Sequence, residues 1–295
     1  MANLEKNINY EKFKEILNKH IFKDEKIELL KKIAEYPERF IGLFRTTKPA
    51  AKILQNLLQS HEIRMGDALE EIIEEILKSF GFDVLDKNIK SKSEEVLLLD
   101  QYFTDGEKYY FIEQKIRDDH DSTKKRGQIS NFEAKLEILY KKHGSNLIGI
   151  MYFIDDTLDK NKNYYFSQIE SLSKFYKVSL KLFYGRELFD YFNRPKMWEY
   201  ILIYLKQWKK ELPEFPEIDF DSNSNASFKE LKKLELRFWR KIIDNKELWE
   251  DGIMQTIFKS GKTLKKILEF FKQQKSVPYE ELSKILEEKM KKYYN

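Results

Sequence analysis

Two apolar runs, each ending in charged residues, constrain the fold of this chain most strongly. The first run, residues 96–99, ends at Asp100, and the second, residues 109–112, ends at Glu113-Gln114-Lys115. Between them lies Thr104-Asp105-Gly106, and an Asp-Gly pair between two β-rich runs is a strong hairpin signal. The sequence therefore predicts two adjacent antiparallel strands, one in EVLLLDQYF and one in EKYYFIEQKI.

Further strands and helices alternate around this hairpin. A helix is predicted from Gly66-Asp67, with Asp67 as its N-cap, to Gly81 as its stop, and FDVLDK follows as a short strand. After the basic loop RDDHDSTKKRG, the order is helix QISNFEAKLEILYKK, strand LIGIMYFID, helix SQIESLSKFY and strand VSLKLFYG. This alternation predicts an α/β fold, a mixed sheet flanked by helices.

The flanks of this core are predicted to be helical. Apolar residues recur at helical spacing at Phe13, Ile16 and Leu17, and PERFIGLFRTTKP reads as a loop between helices. The segment ELPEFPEIDFDSNSNAS is the clearest linker in the C-terminal part. We predict three parts: an all-helical N-terminal arm with DNA contacts at 1–64, a core at 65–192, and a helical region at 193–295 that binds DNA or mediates dimerisation.

Composition excludes several other classes of protein. The chain has 295 residues, no Cys and 35% charged residues, which excludes a disulfide framework and thiolate metal sites. The first 30 residues are too charged for a signal peptide, and no apolar run approaches the ~20 residues of a membrane span. We expect a cytoplasmic protein with no membrane partner. Residues 259–295 hold ten Lys and five Glu, a balance that suits a polyanion such as nucleic acid.

The charged ends of the two apolar strands are the strongest functional signal. A buried unpaired charge is unfavourable, so carboxylates at these positions indicate function. Side chains alternate along a strand, so Glu113 and Lys115 share a face, and the hairpin brings Asp100 beside them. Two carboxylates can hold Mg²⁺, for which Mn²⁺ is expected to substitute, and a Lys can orient or activate the attacking water. We predict Asp100, Glu113 and Lys115 as catalytic residues.

This order of an acidic residue, a spacer of one hairpin and Glu-x-Lys resembles the PD-(D/E)XK nucleases, although Leu99 stands where that family has Pro. The resemblance implies that a preceding helix supplies another carboxylate to the metal. On a helical wheel of GDALEEIIEEILKSFG, Glu70 lies at the edge of the apolar face and Glu71 points to solvent. Glu70 is therefore the predicted third catalytic and metal-binding carboxylate, with Glu71 as the alternative.

Basic and amide side chains next to the catalytic strand are predicted to contact DNA. Lys and Arg contact phosphates, and Arg, Asn and Gln read base edges. Asp118, Asp119 and Asp121 could cap the next helix, restrain the Arg residues or accept from cytosine, and His120 is a general base or a polar contact. The predicted DNA-binding residues are Arg117, Lys124, Lys125, Arg126, Gln128 and Asn131, with Arg45, Lys48 and Gln59 from the loop before the Glu70 helix as a second choice.

Four segments together are similar to type II restriction endonucleases of the HinfI group. They are FRTTKP, QSHEIRMGDALEE, LLLDQYF and EQKIRDDHDSTKKRGQISNF, and the resemblance covers residues 38–155. It implies a restriction-endonuclease-like core and a Mg²⁺-dependent double-strand cut by phosphodiester hydrolysis at a short palindromic site of the GANTC kind. It also implies a homodimer acting on double-stranded DNA, and a cognate DNA methyltransferase in the same restriction-modification system.

Two alternatives stay open at this point. One is a DNA repair or recombination nuclease built on the same core. The other is a non-catalytic DNA-binding or RNA-binding protein, which would account for the basic tail and for aromatic side chains that stack on bases. That second alternative leaves the charged strand ends at Asp100, Glu113 and Lys115 unexplained, and a metal-free scaffold would show no dependence on divalent ions.

Overall fold

A computed structural model describes residues 8–42, 44, 46–90 and 96–294. The chain forms two compact units, the first from Met1–His20 and Met65–Leu212 and the second from Ile21–Arg64 and Pro213–Asn295. This grouping differs from the predicted three-part division in three respects. The part of the predicted arm up to His20 and residues 193–212 group with the sheet, and residues 21–64 group with the C-terminal region.

The helices are α1 (Tyr10–Ile21), α2 (Glu25–Glu35), α3 (Pro49–Ser79), α4 (Ser122–His143), α5 (Lys162–Tyr176), α6 (Glu187–Tyr191), α7 (Pro195–Glu211), α8 (Ser224–Leu231), α9 (Leu236–Asp244), α10 (Lys246–Glu250), α11 (Ile253–Ile257), α12 (Lys262–Gln273) and α13 (Val277–Tyr293). The strands are β1 (Asp83–Val84), β2 (Asn88–Lys90), β3 (Val96–Leu98), β4 (Gln101–Thr104), β5 (Tyr109–Lys115), β6 (Leu147–Phe153) and β7 (Ser179–Tyr184). Short 3-10 turns occupy Pro37–Arg39 and Gly144–Asn146.

Among the described residues, five strands form one mixed sheet in the order β1-β4-β5-β6-β7, and β2 and β3 form a separate two-stranded ribbon. Strands β1, β4 and β5 run antiparallel, whereas β5, β6 and β7 are parallel and are connected through α4 and α5. Parallel neighbours need such crossover helices because a short turn cannot connect them. The predicted α/β fold with a mixed sheet and helical flanks is confirmed.

The predicted hairpin is formed by β4 and β5, with Gln101 opposite Ile112. Its turn is fixed by Asp105, whose Oδ1 accepts hydrogen bonds from the backbone amides of Glu107 (3.0 Å) and Lys108 (2.7 Å). Gly106 takes a φ of +93°, which favours glycine because it has no Cβ. The local Asp-Gly chemistry therefore sets which residues of the two strands face each other.

The predicted strand EVLLLDQYF is divided at Leu99 and Asp100. Strand β3 ends at Leu98, and β4 begins only at Gln101. Between them, Asp100 Oδ2 accepts a hydrogen bond of 2.6 Å from the backbone N–H of Gln114 on β5. The side chain of Asp100 takes the place of a backbone acceptor, so the strand breaks where the charged residue lies.

The predicted start of the helix at Gly66-Asp67 is wrong. Helix α3 begins at Pro49, a residue suited to the first helical turn because its missing N–H is not needed there. Gly66 and Asp67 lie inside this helix, and residues 49–61, predicted as a loop, are helical too. The predicted stop is confirmed: Gly81 has a φ of +92°, and the N–H of Phe82 bonds back to the Leu77 carbonyl.

The basic segment after β5 is also more helical than predicted. Helix α4 starts at Ser122, and Asp121 caps it by accepting from the amides of Thr123 (2.9 Å) and Lys124 (2.8 Å). This is the capping role considered for the acidic residues of the segment. Residues 124–126 therefore lie on the first turns of a helix rather than in a loop.

The apolar core of the first unit lies between the sheet and helices α4 and α5. Phe111 of β5 packs on Phe132 of α4 with ring centroids 5.0 Å apart. Gly149 of β6 is required by this packing, because a Cβ there would lie 2.6 Å from the Phe111 ring and 2.7 Å from Leu180. Close contact between helix and sheet fixes α4 over the end of β5.

The second unit is helical and has its own core. Trp239, Trp249 and Phe258 are fully or almost fully buried in it, together with apolar residues of α2, α9, α12 and α13. Across the described part of the chain, no helix is long and apolar enough to cross a lipid bilayer.

Candidate active site

The three residues predicted to carry catalysis lie together at the end of the β4–β5 hairpin. The Nζ of Lys115 lies 3.2 Å from Asp100 Oδ2 and 2.8 Å from Glu113 Oε1. Asp100 immediately precedes β4, while Glu113 and Lys115 end β5. The structure thus brings two carboxylates and one ammonium group into direct contact.

Strand alternation explains why Glu113 faces helix α4. Phe111 packs on Phe132 of α4, and residues two apart on a strand share a face, so Glu113 and Lys115 continue on the Phe111 side. Where the apolar contact of Phe111 and Phe132 ends, the polar contacts begin. Local sequence alternation and the packing of α4 together determine the direction of the Glu113 and Lys115 side chains.

Helix α4 adds two further side chains to the cluster. Lys135 Nζ lies 2.5 Å from Glu113 Oε2 and 3.9 Å from Asp100 Oδ1, and Asn131 Nδ2 donates to Glu113 Oε1 at 3.0 Å. Lys135 was not among the predicted site residues. Its signal in the sequence is a lysine on the apolar face of α4, one residue before the fully buried Leu136.

The four charged side chains differ in depth. The side chains of Glu113 and Lys135 are 2% and 5% exposed, that of Asp100 is 13% exposed and that of Lys115 is 30% exposed. Lys115 and Asp100 therefore form the accessible layer of the cluster. Glu113 and Lys135 lie beneath them, where an unpaired charge would be strongly unfavourable.

The pKa values of the two carboxyl groups shift in opposite directions. Burial by itself raises the pKa of Glu113, but Lys115 and Lys135 outweigh it and hold that pKa below its usual value. Burial and the neighbouring charge of Glu113 raise the pKa of Asp100. Glu113 is therefore the more firmly ionised carboxylate, because it contacts both ammonium groups closely.

The pKa of Lys115 decides what this residue can do. Burial lowers its pKa, but the charges of Glu113 and Asp100 outweigh burial and raise the pKa above that of a free lysine. Lys115 is consequently protonated at neutral pH. In that state it can orient water or contact a phosphate oxygen, but it cannot accept a proton as a general base.

Glu70 and Glu71, the two candidates on α3, have different surroundings. Burial, and then the charge of Asp100, raise the pKa of Glu70 to about 7, and Lys115 also acts on it electrostatically. Glu71 Oε2 instead lies 2.6 Å from His20 Nε2 and 3.1 Å from Lys19 Nζ. Glu70 is therefore the candidate that interacts with the charges of the cluster, as the helical wheel predicts. Glu71, predicted to point to solvent, is instead half-buried and paired with Lys19 and His20 of α1.

We expect substitutions at these two positions to change the pH dependence of stability with opposite signs. The pKa of Glu70 rises from 4.5 to about 7 on folding, so the folded state binds a proton at Glu70 more tightly than the unfolded state does. The stability that this proton contributes is fully present below about pH 4.5 and is lost as the pH rises through 7. Glutamine does not titrate, so the free energy of unfolding of Glu70→Gln should increase relative to that of wild type as the pH rises from about 4.5 to 7. Urea unfolding at about pH 4.5, 6 and 8 measures this.

Glu71→Gln is the matched control for that experiment. Burial raises the pKa of Glu71, but hydrogen bonds from His20 and Lys19 outweigh it and lower the pKa. Its stabilising effect is present at neutral pH and is lost on acidification, so Glu71→Gln should be less stable than wild type near neutrality. A shift of the same sign in both variants would contradict the assignment of the two side chains.

The predicted DNA-binding residues on and before α4 divide into two groups. Lys124 and Arg126 are exposed and Arg117 is half-buried, and all three lie within eleven residues of Lys115, the last residue of β5. Lys125 Nζ donates to Asn161 Oδ1 at 3.2 Å and lies over the ring of Tyr164. Of this set, Lys124 and Arg126 present their cationic groups to solvent most directly.

Two members of the predicted set occupy positions that sequence reasoning did not foresee. Gln128 is 8% exposed, and its Oε1 accepts a hydrogen bond of 2.5 Å from Tyr165. That burial fits a role in the core and disfavours contact with a base edge. Asn131 is exposed, and its Nδ2 donates to Glu113, so it contacts the charged cluster, while its contact with DNA stays a prediction.

The second-choice set lies elsewhere in the chain. Lys48 is exposed just before α3, and Gln59 is exposed on α3. Both belong to the second compact unit, and Arg45 lies outside the described residues. Their roles in DNA binding stay a prediction.

Asp118, Asp119 and His120, which follow the predicted catalytic strand, differ in their surroundings. Asp118 is fully buried and accepts hydrogen bonds from Asn161 and Tyr184, whereas Asp119 is exposed. Burial and Lys124 lower the pKa of His120, so its ring is mostly neutral at neutral pH. Among the described residues, the carboxylate that lies beside the His120 ring is that of Asp119, and His120 does not contact the charged side chains around Glu113.

Comparison with known proteins agrees with this geometry. No curated protein sequence gives a significant match to the chain. The model of the family described as "Type II restriction endonuclease, HinfI" matches residues 9–94 and 81–209. These two matches together span more than half of the 295 residues and contain the whole cluster of Asp100, Glu113, Lys115 and Lys135. The chain therefore belongs to the HinfI family of type II restriction endonucleases, enzymes that hydrolyse DNA at specific sites.

Proposed function

We propose that this restriction endonuclease uses the PD-(D/E)XK arrangement, with Asp100, Glu113 and Lys115 as its catalytic residues and Mg²⁺ as its cofactor. The observation that carries the proposal is the convergence of two carboxylates and a protonated lysine at the ends of two buried strands. Packing alone does not favour such a cluster, because each charge loses hydration there. Hydrolysis of a phosphodiester bond explains the cluster, because it needs carboxylates for the metal ion and a positive charge beside the phosphate.

The donor set fits a Mg²⁺ ion that is held only in part by protein. Mg²⁺ binds through one or two carboxylates and keeps waters and substrate phosphates as its other ligands. Asp100 Oδ1 lies 3.9 Å from Lys135 Nζ, beyond hydrogen-bond distance, so this oxygen is available as a metal ligand. Both oxygens of Glu113 contact Lys115, Asn131 or Lys135, so Glu113 would bind the ion in exchange for one of these contacts. In the described part of the chain, no three or more Asp, Glu or His side chains are grouped closely enough to hold a metal by themselves.

The lack of such a group among the described residues concerns Glu70, the predicted third metal ligand. The three predicted carboxylates do not form a metal cage by themselves, so we propose that Asp100 and Glu113 bind the ion and that Glu70 acts on it through water. The electrostatic interaction of Glu70 with Asp100 supports this role. Glu70→Ala should then raise the Mg²⁺ concentration needed for cleavage, and Glu71→Ala should not.

The bound ion would lower the pKa of a coordinated water and offset the negative charge that builds on the phosphate. The protein groups have separate parts in this chemistry. Asp100 and Glu113 fix the position of the water and the phosphate relative to each other. Lys115, protonated and the most accessible of the charged groups, contacts a phosphate oxygen and orients the attacking water.

We propose that DNA lies along the start of α4. Lys124 and Arg126 are exposed there, directly after the segment that leaves the catalytic strand, so they are the first candidates for phosphate and base contacts. Arg117 is the next candidate. Lys48, Gln59 and Arg45 remain the second choice.

We further propose that the enzyme acts as a homodimer at a short palindromic site of the GANTC kind. A two-fold symmetric site is matched by a two-fold symmetric pair of subunits, and each subunit then cuts one strand. The helical region at 193–295 would bind DNA or mediate this dimer. A host carrying such an enzyme needs a methyltransferase that protects the same site.

Digestion of phage DNA by the purified full chain tests the proposal. Discrete fragments in the presence of Mg²⁺ or Mn²⁺, and intact DNA with EDTA, are the expected results, and sequencing of the fragment ends would give the site and the cut position. Cleavage that persists in EDTA would overturn the metal dependence. Structure-specific cuts without a common sequence would instead favour a repair nuclease, and binding without cleavage would favour a DNA-binding protein.

A further inference from the structure

Lys135 is a buried lysine that the proposed chemistry does not use. It is 4% exposed, and lysine is rarely buried to this extent unless it is paired. Its partner is Glu113, whose Oε2 lies 2.5 Å from its Nζ, and Asp100 Oδ1 lies 3.9 Å away. Its ammonium group therefore lies between the two carboxylates proposed to bind the metal.

Lys135 and Lys115 together surround these carboxylates with positive charge. Lys115 contacts Glu113 Oε1 and Asp100 Oδ2, and Lys135 contacts the other oxygen of Glu113 and faces the other oxygen of Asp100. Two carboxylates and two ammonium groups give this four-residue cluster a net charge of zero. The cluster is complete without a metal ion.

We propose that Lys135 is a positioning residue that serves as the internal counter-ion of Glu113 and Asp100 while no DNA is bound, and thereby keeps the affinity of the free enzyme for divalent ions low. This inference rests on the proposed function of the same site. Lys135 holds the carboxylates in place before the metal and the substrate arrive. It also makes tight binding of the metal depend on the substrate.

The physical basis is the repulsion between a divalent cation and two nearby ammonium groups. Charges a few ångströms apart interact strongly even at an effective dielectric constant of ~20. A DNA phosphate would bring negative charge next to Lys115, whose side chain is 30% exposed, and would supply further oxygen ligands to the divalent ion. DNA and divalent ion should therefore bind with positive coupling, and each should raise the affinity for the other by the same factor.

Calorimetric titration of the DNA-free full chain with Mn²⁺ tests this inference. Lys135→Gln removes the charge but keeps an N–H donor toward Glu113, and Lys135→Arg keeps the charge. We expect Lys135→Gln to bind Mn²⁺ at least about tenfold more tightly than wild type, and Lys135→Arg to bind it as weakly as wild type. Adding Asp100→Asn to Lys135→Gln should abolish the gain.

Thermal unfolding with and without Ca²⁺ separates this role from a purely structural one. Loss of Lys135 leaves Glu113 without its buried partner, so the variant should melt lower without metal. Ca²⁺ should restore more of the melting temperature in Lys135→Gln than it adds to wild type, because a ligand that binds the folded state more tightly stabilises it more. If the Gln variant does not fold, Lys135→Met, which fills a similar volume, takes its place, and failure of both to fold even with Ca²⁺ would overturn the inference.

Two other results would overturn it. One is unchanged Mn²⁺ affinity in Lys135→Gln, and the other is a gain that persists after Asp100→Asn, since the ion would then bind elsewhere. The first result leaves the proposed roles of Asp100 and Glu113 as they are, whereas the second would also argue against Asp100 as a ligand of the ion. Failure of the proposed function would show separately, as normal DNA cleavage by Asp100→Asn or Glu113→Gln in the presence of Lys135.

Discussion

Asp100→Asn and Glu113→Gln should each reduce the rate of DNA cleavage by about a thousandfold or more. Both substitutions keep the size of the side chain and an acceptor oxygen, so the hydrogen bond from the Gln114 amide to residue 100 can survive. What they remove is the negative charge that fixes the ion and the attacking water. Cleavage of a DNA duplex under single-turnover conditions measures the effect on chemistry directly.

DNA binding should survive these substitutions, because phosphate contacts are made by other residues. Binding of the same duplex in Ca²⁺ measures this. Glu107→Gln is the matched control, since it removes one carboxylate from the exposed turn of the same hairpin and should cut at the wild-type rate. Near-normal cleavage by either Asp100→Asn or Glu113→Gln would show that the active site is elsewhere.

Local sequence determines the hairpin that carries this site, which is why it could be predicted. The Asp-Gly turn and the alternation of Phe111, Glu113 and Lys115 act over a few residues, and the observed register follows from them. The contact of Lys115 with both carboxylates could be anticipated from this register alone. The strand break at Asp100 could not, because it depends on a hydrogen bond to the neighbouring strand.

The contacts that α4 makes with Glu113 depend on tertiary packing, and the sequence does not predict them. The sequence predicts a DNA contact for Asn131, which stays a prediction, but it does not indicate that Asn131 donates to Glu113 or that Lys135 pairs with Glu113. The direction of both side chains depends on how the helix packs on the sheet through Phe132, which spacing along the chain does not specify. A lysine on an apolar helix face was the only sign available in the sequence.

The start of α3 was misplaced for a related reason. Gly66 and Asp67 are residues that commonly begin a helix, so local preference favoured a boundary there. The structure continues the helix through them from Pro49, because residues on both sides of this position bury apolar side chains, such as Ile53 and Ile72. Packing on either side outweighs the weak local preference for a break.

Asp118→Ala should destabilise the protein by about 3 to 5 kcal/mol. Asp118 is fully buried three residues after Lys115. It accepts hydrogen bonds from the backbone N–H of Asn161 (2.9 Å), from Asn161 Nδ2 (2.9 Å) and from the Tyr184 hydroxyl (2.8 Å). Alanine would leave all of these donors buried without their acceptor and would leave a cavity.

Asp118 connects the segment that leaves the catalytic strand to the start of α5 and the end of β7. Its neighbour Asp119 is the matched control, because the Asp119 side chain is 50% exposed and its Oδ1 lies 3.6 Å from Nδ1 of His120, whose ring is mostly neutral at neutral pH. Asp119→Ala should change the free energy of unfolding by no more than about 0.5 kcal/mol, as surface substitutions usually do. Urea unfolding at neutral pH measures both variants under the same conditions. Equal and small losses for the two would mean that the buried network around Asp118 contributes little, and that the segment after β5 is held by the packing of α4 alone.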